Sequence, residues 1–316
     1  MTPATLERDG RQERSARTIG LVVLAGVALG VLYALSPLSA LFLLALVPLL
    51  RWAGRGLDAE ERRWLIGVLL TAVIARVLVV LVLFVVTNHR LVPFGSVFGD
   101  EEYFIRRSLW IRNVALGLPI HRADFVYAYD DYSRTSFLYV LAVLQLLVGP
   151  TPYGAHLFSI LCYLAGSIVL YRAVRPSFGP LPALAGLVML LFLPSLFAWS
   201  ISALKEPLYF LVMSVGLAAA LTVGRPGHWL KRLGAVVLLA AVALAAQSIR
   251  EGGLVMAGIG AAGGIVLGVL ARRPLVLMTA AIAALLIAPF VLMRGGVEDR
   301  VVTAVRQVAM VHWGHV

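Results

Sequence analysis

The stretch WLIGVLLTAVIARVLVVLVLFVVT, Trp64 to Thr87, is apolar over enough residues to cross a bilayer, and it decides how the chain is read. Some ten residues beyond it comes Phe98-Gly99-Asp100-Glu101-Glu102-Tyr103, three consecutive carboxylates in a protein with only 16 acidic residues. A carboxylate in hydrocarbon is costly, so this cluster sits in water at or just beyond the membrane surface.

Composition extends that reading to the whole chain. Charged residues make up 14% of it and hydrophobic ones 61%, against about 25% charged in a soluble domain. With a mean hydropathy of +0.93, this is an all-α polytopic membrane protein built as one integral domain. The net charge of +11 would suggest nucleic acid in a soluble protein. In a membrane protein it is the basic excess of cytoplasmic loops, and no nucleic-acid partner is expected. The single Cys162 lies in an apolar run and reads as a small packed hydrophobe, which excludes a disulfide framework or zinc cluster within the chain. Of 27 lysines and arginines only Lys205 and Lys231 are lysines. Lys231 belongs to a basic loop; Lys205 does not.

The charge pattern gives a topology. Residues 1–18, with Arg8, Arg11, Arg14 and Arg17, form a basic cytoplasmic tail. Residues 19–50 form an uncleaved apolar hairpin that turns at Ser36-Pro37, and the basic loop 51–63 returns to the cytoplasmic side. Segment 64–87 crosses outward into a loop over 88–152, whose carboxylates and arginines balance across 88–135. The apolar run 137–149 is short for a span. A full crossing there would place Arg225, Lys231 and Arg232 outside, so it is expected to lie in the interface or to dip in and return. Spans follow at 153–171, 181–201, 206–223, 233–249, 253–271 and 274–293, giving seven after the hairpin. Residues 295–316 suit an amphipathic tail on the outer face. This topology gathers the 88–135 loop, Ser202–Pro207, Arg250–Gly253 and the C-terminal tail on one side.

Each of these carries chemistry. A carboxylate at the lipid edge, Asp100 with Glu101 beside it, suits a general base for an acceptor hydroxyl. If 101–112 is helical, Tyr103 and Arg107 share a face, and Phe104, Trp110 and Ile111 lie in the interface. Lys205-Glu206-Pro207 opens a span, where free N–H groups and a mobile cation suit a phosphate. Arg250-Glu251 repeats that arrangement at the end of another span. Asp124, Tyr127, Tyr129, Asp130, Asp131 and Tyr132 alternate rings and carboxylates, a surface suited to sugars. His312 and His315 lack a third partner, so no metal site is assigned. Glu101, Glu102 and Glu206 could still hold a divalent ion. Pro194 and Pro289 could break helices.

The loop Gly99–Tyr103 after a first outward span resembles the acidic first outer loop of GT-C glycosyltransferases, such as protein O-mannosyltransferases and aminoarabinose transferases. Ser202-x-x-Lys205-Glu206-Pro207 looks like their second outer loop, and residues 64–294 look like their seven-helix module. Here that module follows a short N-terminal hairpin and has interfacial helices in its first outer loop. The resemblance implies an enzyme of the cell envelope. It would move a sugar from a polyprenyl-phosphate donor to a hydroxyl of a glycan, lipid or protein acceptor, at the periplasmic or extracellular face of the plasma membrane. It implies Asp100 and Glu101 as catalytic residues and Lys205 and Arg250 on the donor phosphate. Glu102, Tyr103, Arg107, Asp130, Asp131 and Glu206 would contact substrate. No cofactor is required. A transporter or flippase, or a polymerase of lipid-linked saccharides, is the alternative.

Overall fold

A computed structural model describes residues 19–20, 22–27, 30, 37–88, 98–130, 135–150, 153–224, 228–260, 279 and 282. The chain divides into two compact units, Met1–Gly258 and Ile259–Val316. Ten helices of the first unit carry the fold. They are α1 (Pro37–Ala53), α2 (Ala59–Val86), α3 (Gly99–Ala115), α4 (Arg122–Ala128), α5 (Ser136–Val148), α6 (Gly154–Phe178), α7 (Pro180–Phe192), α8 (Pro194–Ile201), α9 (Glu206–Gly224) and α10 (Trp229–Ile249).

Among the described residues four of them, α2, α6, α9 and α10, are long and apolar enough to cross a membrane, and the bent pair α7–α8 is long and apolar enough to make a fifth if it is one broken span rather than a re-entrant loop. These match the spans expected at 64–87, 153–171, 206–223, 233–249 and 181–201. The two expected at 253–271 and 274–293 lie largely outside the described residues, as does the 295–316 tail. Helix α5 has 13 residues, about 20 Å of rise, which cannot cross a hydrocarbon core of roughly 30 Å. Of the N-terminal hairpin, Pro37 opens α1; Ser36 lies outside the described residues.

Helix α6 is the hub. It packs against α1, α2, α7, α8 and α9, and 61% of its most apolar window is buried, against 28% for α2. Leu157, Ile160, Leu164 and Ile168 pack with Leu65, Leu69, Leu187 and Leu191. Two glycines set the closest approaches. A Cβ on Gly166 would stand 2.9 Å from the Phe210 ring and 3.1 Å from Leu211 Cα. One on Gly216 would stand 2.8 Å from Val242 Cγ1. Without a hydrophobic drive between helices in lipid, such close packing is the main source of association.

Side chains pin the hub at both ends. Glu61, buried at the start of α2, accepts from Arg175 Nε at 2.5 Å and from Tyr171 Oη at 2.5 Å, both on α6. Arg172 donates to the carbonyls of Trp52, Ala53 and Arg55 at 2.9, 3.1 and 3.0 Å, capping α1 from across the bundle. At the other end of α6, Tyr153 donates to Leu83 O at 3.2 Å.

The break between α7 and α8, bent by 62°, has a local cause. Pro194 has no N–H, so Leu190 O loses its helical donor. Tyr163 Oη takes that place at 2.7 Å. Arg76, fully buried in α2, donates to Leu191 O at 2.7 Å and to Ser200 Oγ at 2.8 Å, and its guanidinium lies 4.6 Å from the Phe197 ring centroid. Carbonyls freed by the break are thereby satisfied, as an apolar surrounding demands.

Candidate functional site

Helices α3, α4 and α5 form a second layer at the end of the bundle where α2 finishes and α6 begins. Its small core joins Phe104, Ile111, Ala128, Phe137, Leu138, Leu141 and Leu204. The buried face of α3 runs Glu101, Phe104, Ile105, Ser108 and Ile111, the spacing of one helical stripe. Glu101 is therefore the member of the acidic triplet that faces inward, while Asp100 is exposed and Glu102 pairs with Arg106 one turn on.

Glu101 is fully buried, and its Oε1 accepts from the backbone nitrogen of Ala203 at 2.7 Å. Phe98, just before α3, stacks on Trp199 of α8 at 5.5 Å. His156, on the first turn of α6, donates through Nδ1 to Ile201 O at 2.7 Å and stands 3.9 Å from Glu101 Oε1. Since a carbonyl can only accept, that bond fixes the proton on Nδ1. His156 Nε2 is buried and has no hydrogen-bond partner among the described residues. The ring stacks on Tyr153, whose φ of 62° is unusual for a side chain of that size. Three segments, 98–104, 153–156 and 201–205, are thus knitted around one carboxylate.

Two residues beyond Ala203, Lys205 lines a cavity of about 230 Å³ with Glu206, Tyr209, Phe210, Met213 and Arg250. Lys205 Nζ lies 5.8 Å from the Phe104 ring centroid, and Glu206 Oε2 is buried with no hydrogen-bond partner among the described residues. Arg250 arrives from the end of α10, and that end is anchored to the α3–α5 layer. Thr135 donates to Ile249 O at 2.7 Å, and the Ser136 and Ser248 hydroxyls are 3.0 Å apart. The turn after Arg250 needs its glycines. Gly252 has φ +80°, and a Cβ on Gly253 would fall 2.3 Å from Ala246 O. Two cations far apart in sequence therefore meet at one apolar-walled cavity beside the acidic layer.

The other candidate residues fall elsewhere. Arg107 is buried, and it donates to Tyr103 Oη, to Ala128 O at 3.2 Å and to Asp130 O at 2.6 Å. Its place is in the wall of the layer, where it ties α3 to the end of α4. Burial pushes the Tyr103 phenol up, and the neighbouring Arg107 only partly opposes this. Asp130 is exposed, and Asp131 lies outside the described residues, as do His312 and His315. Among the described residues no three metal-ligating side chains converge; Glu101, Glu102 and Glu206 do not form such a group. Sequence reasoning passed over Arg76 and His156. A charge inside an apolar span is a signal in its own right, whereas nothing in the local sequence marks His156.

These features define the class: a helical membrane protein with a polar layer at one end of its apolar helices. No family model matches the chain, and no curated protein or solved structure matches it either.

Proposed function

We propose that the protein transfers a sugar from a polyprenyl-phosphate donor to an acceptor hydroxyl at the outer face of the membrane. The observation that carries this reading is the shared cavity of Lys205 and Arg250, walled by Tyr209, Phe210 and Met213. Cations for a phosphate and apolar surface for a prenyl chain suit a lipid-linked donor. In the reaction the acceptor oxygen attacks the anomeric carbon, the bond from that carbon to the phosphate oxygen breaks, and the hydroxyl proton passes to Asp100. Lys205 and Arg250 balance the charge growing on the departing phosphate. Glu101 acts as a positioning residue, holding the Ser202–Lys205 segment against α3 through Ala203. Asp100 heads the same helix and stays open to an acceptor.

The test is mass spectrometry of lipid-linked sugars in cells with and without the gene, followed by the purified protein with a labelled donor. A new glycosidic bond supports the proposal; translocation without bond formation overturns it. That second outcome has an observation in its favour, since a broken span beside a buried charge is common in transporters. Arg76, however, is engaged by Leu191 O and the Ser200 hydroxyl at the break and by Ala72 O one turn back on its own helix, which favours a structural role.

A further inference from the structure

The opposite end of the bundle holds a second cavity, of about 450 Å³, lined by Leu50, Arg51, Gly54, Arg55, Leu57, Arg62 and neighbouring residues. Its volume lies within the roughly 300–1,000 Å³ of small-molecule sites. Arg51 and Arg55 come from the end of α1 and the turn after it, and Arg62 from the first turn of α2. Among the described residues none of the three guanidinium groups has a carboxylate partner. Nearby acids are otherwise engaged: Asp58 accepts from Glu61 N at 2.8 Å, and Glu61 is held by Arg175. Glu60 does not line the cavity.

The helix dipole explains only part of this. Cations at the C-terminal end of α1 are favourable, but Arg62 lies at the N-terminal end of α2, where a cation is unfavourable. The cavity is also preformed. Arg172 clamps three carbonyls of the α1–α2 turn, and Gly56 takes φ +74°. Gly54 lets the Arg62 stem lie close, since a Cβ there would be 3.0 Å from Arg62 Cγ. Arg51, Arg55 and Arg62 are exposed and line one space, where their like charges favour an anion. The apolar wall of Leu50, Leu57 and Ile66 continues onto the lipid-facing surfaces of α1 and α2, where Val47, Leu70 and Ile74 are exposed.

The geometry points to a binding site for the headgroup phosphate of an anionic phospholipid, with Arg51, Arg55 and Arg62 on the phosphate and the acyl chains along α1 and α2. A zwitterionic headgroup would bring its own ammonium among the arginines, so net negative charge is the selected property. This site and the Lys205–Arg250 cavity lie at opposite ends of α6, and either can exist without the other.

The experiment uses the full chain in detergent, offered phosphatidylglycerol, phosphatidylcholine or inorganic phosphate. Native mass spectrometry counts retained lipid, and the thermal midpoint is read in parallel. Phosphatidylglycerol should be retained and raise the midpoint, and phosphatidylcholine should do neither. Arg51→Gln, Arg55→Gln or Arg62→Gln should each weaken retention roughly tenfold, and Arg62→Lys by less. Arg63→Gln, next in sequence but outside the cavity, should change nothing. The midpoint without added lipid shows whether each variant is folded. Equal retention of both lipids, or unchanged retention in all three glutamine variants, overturns the proposal. So does inorganic phosphate that raises the midpoint as much as phosphatidylglycerol, because the ligand would then be a free anion.

Discussion

The carboxylate of Glu101 accepts the backbone N–H of Ala203 at 2.7 Å, in a place where neither residue reaches solvent. Helix α3 is thereby fastened to the segment that presents Lys205. Glu101→Ala would strand that N–H, at a cost of about 1–3 kcal/mol. The thermal midpoint of the purified variant should fall accordingly. Glu101→Gln keeps an acceptor oxygen and should lose less. A midpoint unchanged in Glu101→Ala would show that the fastening contributes nothing.

Asp100 gives the contrasting case. It is exposed in the first turn of α3, so Asp100→Asn should leave stability, read from the thermal midpoint, within about 0.5 kcal/mol of wild type. Transfer from a labelled lipid-linked donor should fall by a factor of roughly 100 or more if it takes the proton. Full transfer in that variant would remove Asp100 from the chemistry.

Lys205 and Arg250 should reveal themselves through ligand linkage. A saturating polyprenyl phosphate should stabilise the wild type by about 2.7 kcal/mol at a hundredfold excess over Kd, read as a rise in its thermal midpoint. Lys205→Ala and Arg250→Ala should each lose most of that rise. An equal rise in all three proteins would place the phosphate elsewhere.

Arg76 serves Leu191 O, Ser200 Oγ and Ala72 O at once. The compact ammonium of Arg76→Lys cannot reproduce that fork. The variant should be less stable by about 1–3 kcal/mol per acceptor left unpaired, as measured by the thermal midpoint. Tyr163→Phe, which strands only Leu190 O, should show the smaller loss.

Gly253 is closed to any side chain, because a Cβ there would collide with Ala246 O at 2.3 Å. Gly253→Ala must therefore move backbone, at about 1–3 kcal/mol, and it displaces the turn that carries Arg250. Both the thermal midpoint and the response to polyprenyl phosphate should drop. A loss of the midpoint alone would mean that the turn does not position Arg250.

Hydropathy alone made α2, α6, α9 and α10 legible, because a span must satisfy its backbone internally and be apolar along its length. Pro194 marked the break in the fifth. The inward member of Asp100-Glu101-Glu102 was readable from the stripe it shares with Phe104, Ile105 and Ser108, but only once the helix was known to start at Gly99. Arg107 reads as a substrate contact from its charge; sequence does not show that it also meets carbonyls 21 and 23 residues away. His156 is defined by Ile201 O, 45 residues distant. No local pattern encodes such a pairing.

Helix α6 is the common neighbour of five others, yet the ribosome makes α1 and α2 before it. Until the later helices are made, the inward faces of α1 and α2 lack their partners, and Arg76 has neither Leu191 nor Ser200 to meet. An arginine in an apolar span is costly without partners, so Arg76 is expected to stay near water until residues up to 201 have emerged. Nascent chains stalled short of that point should be the ones that quality-control proteases remove.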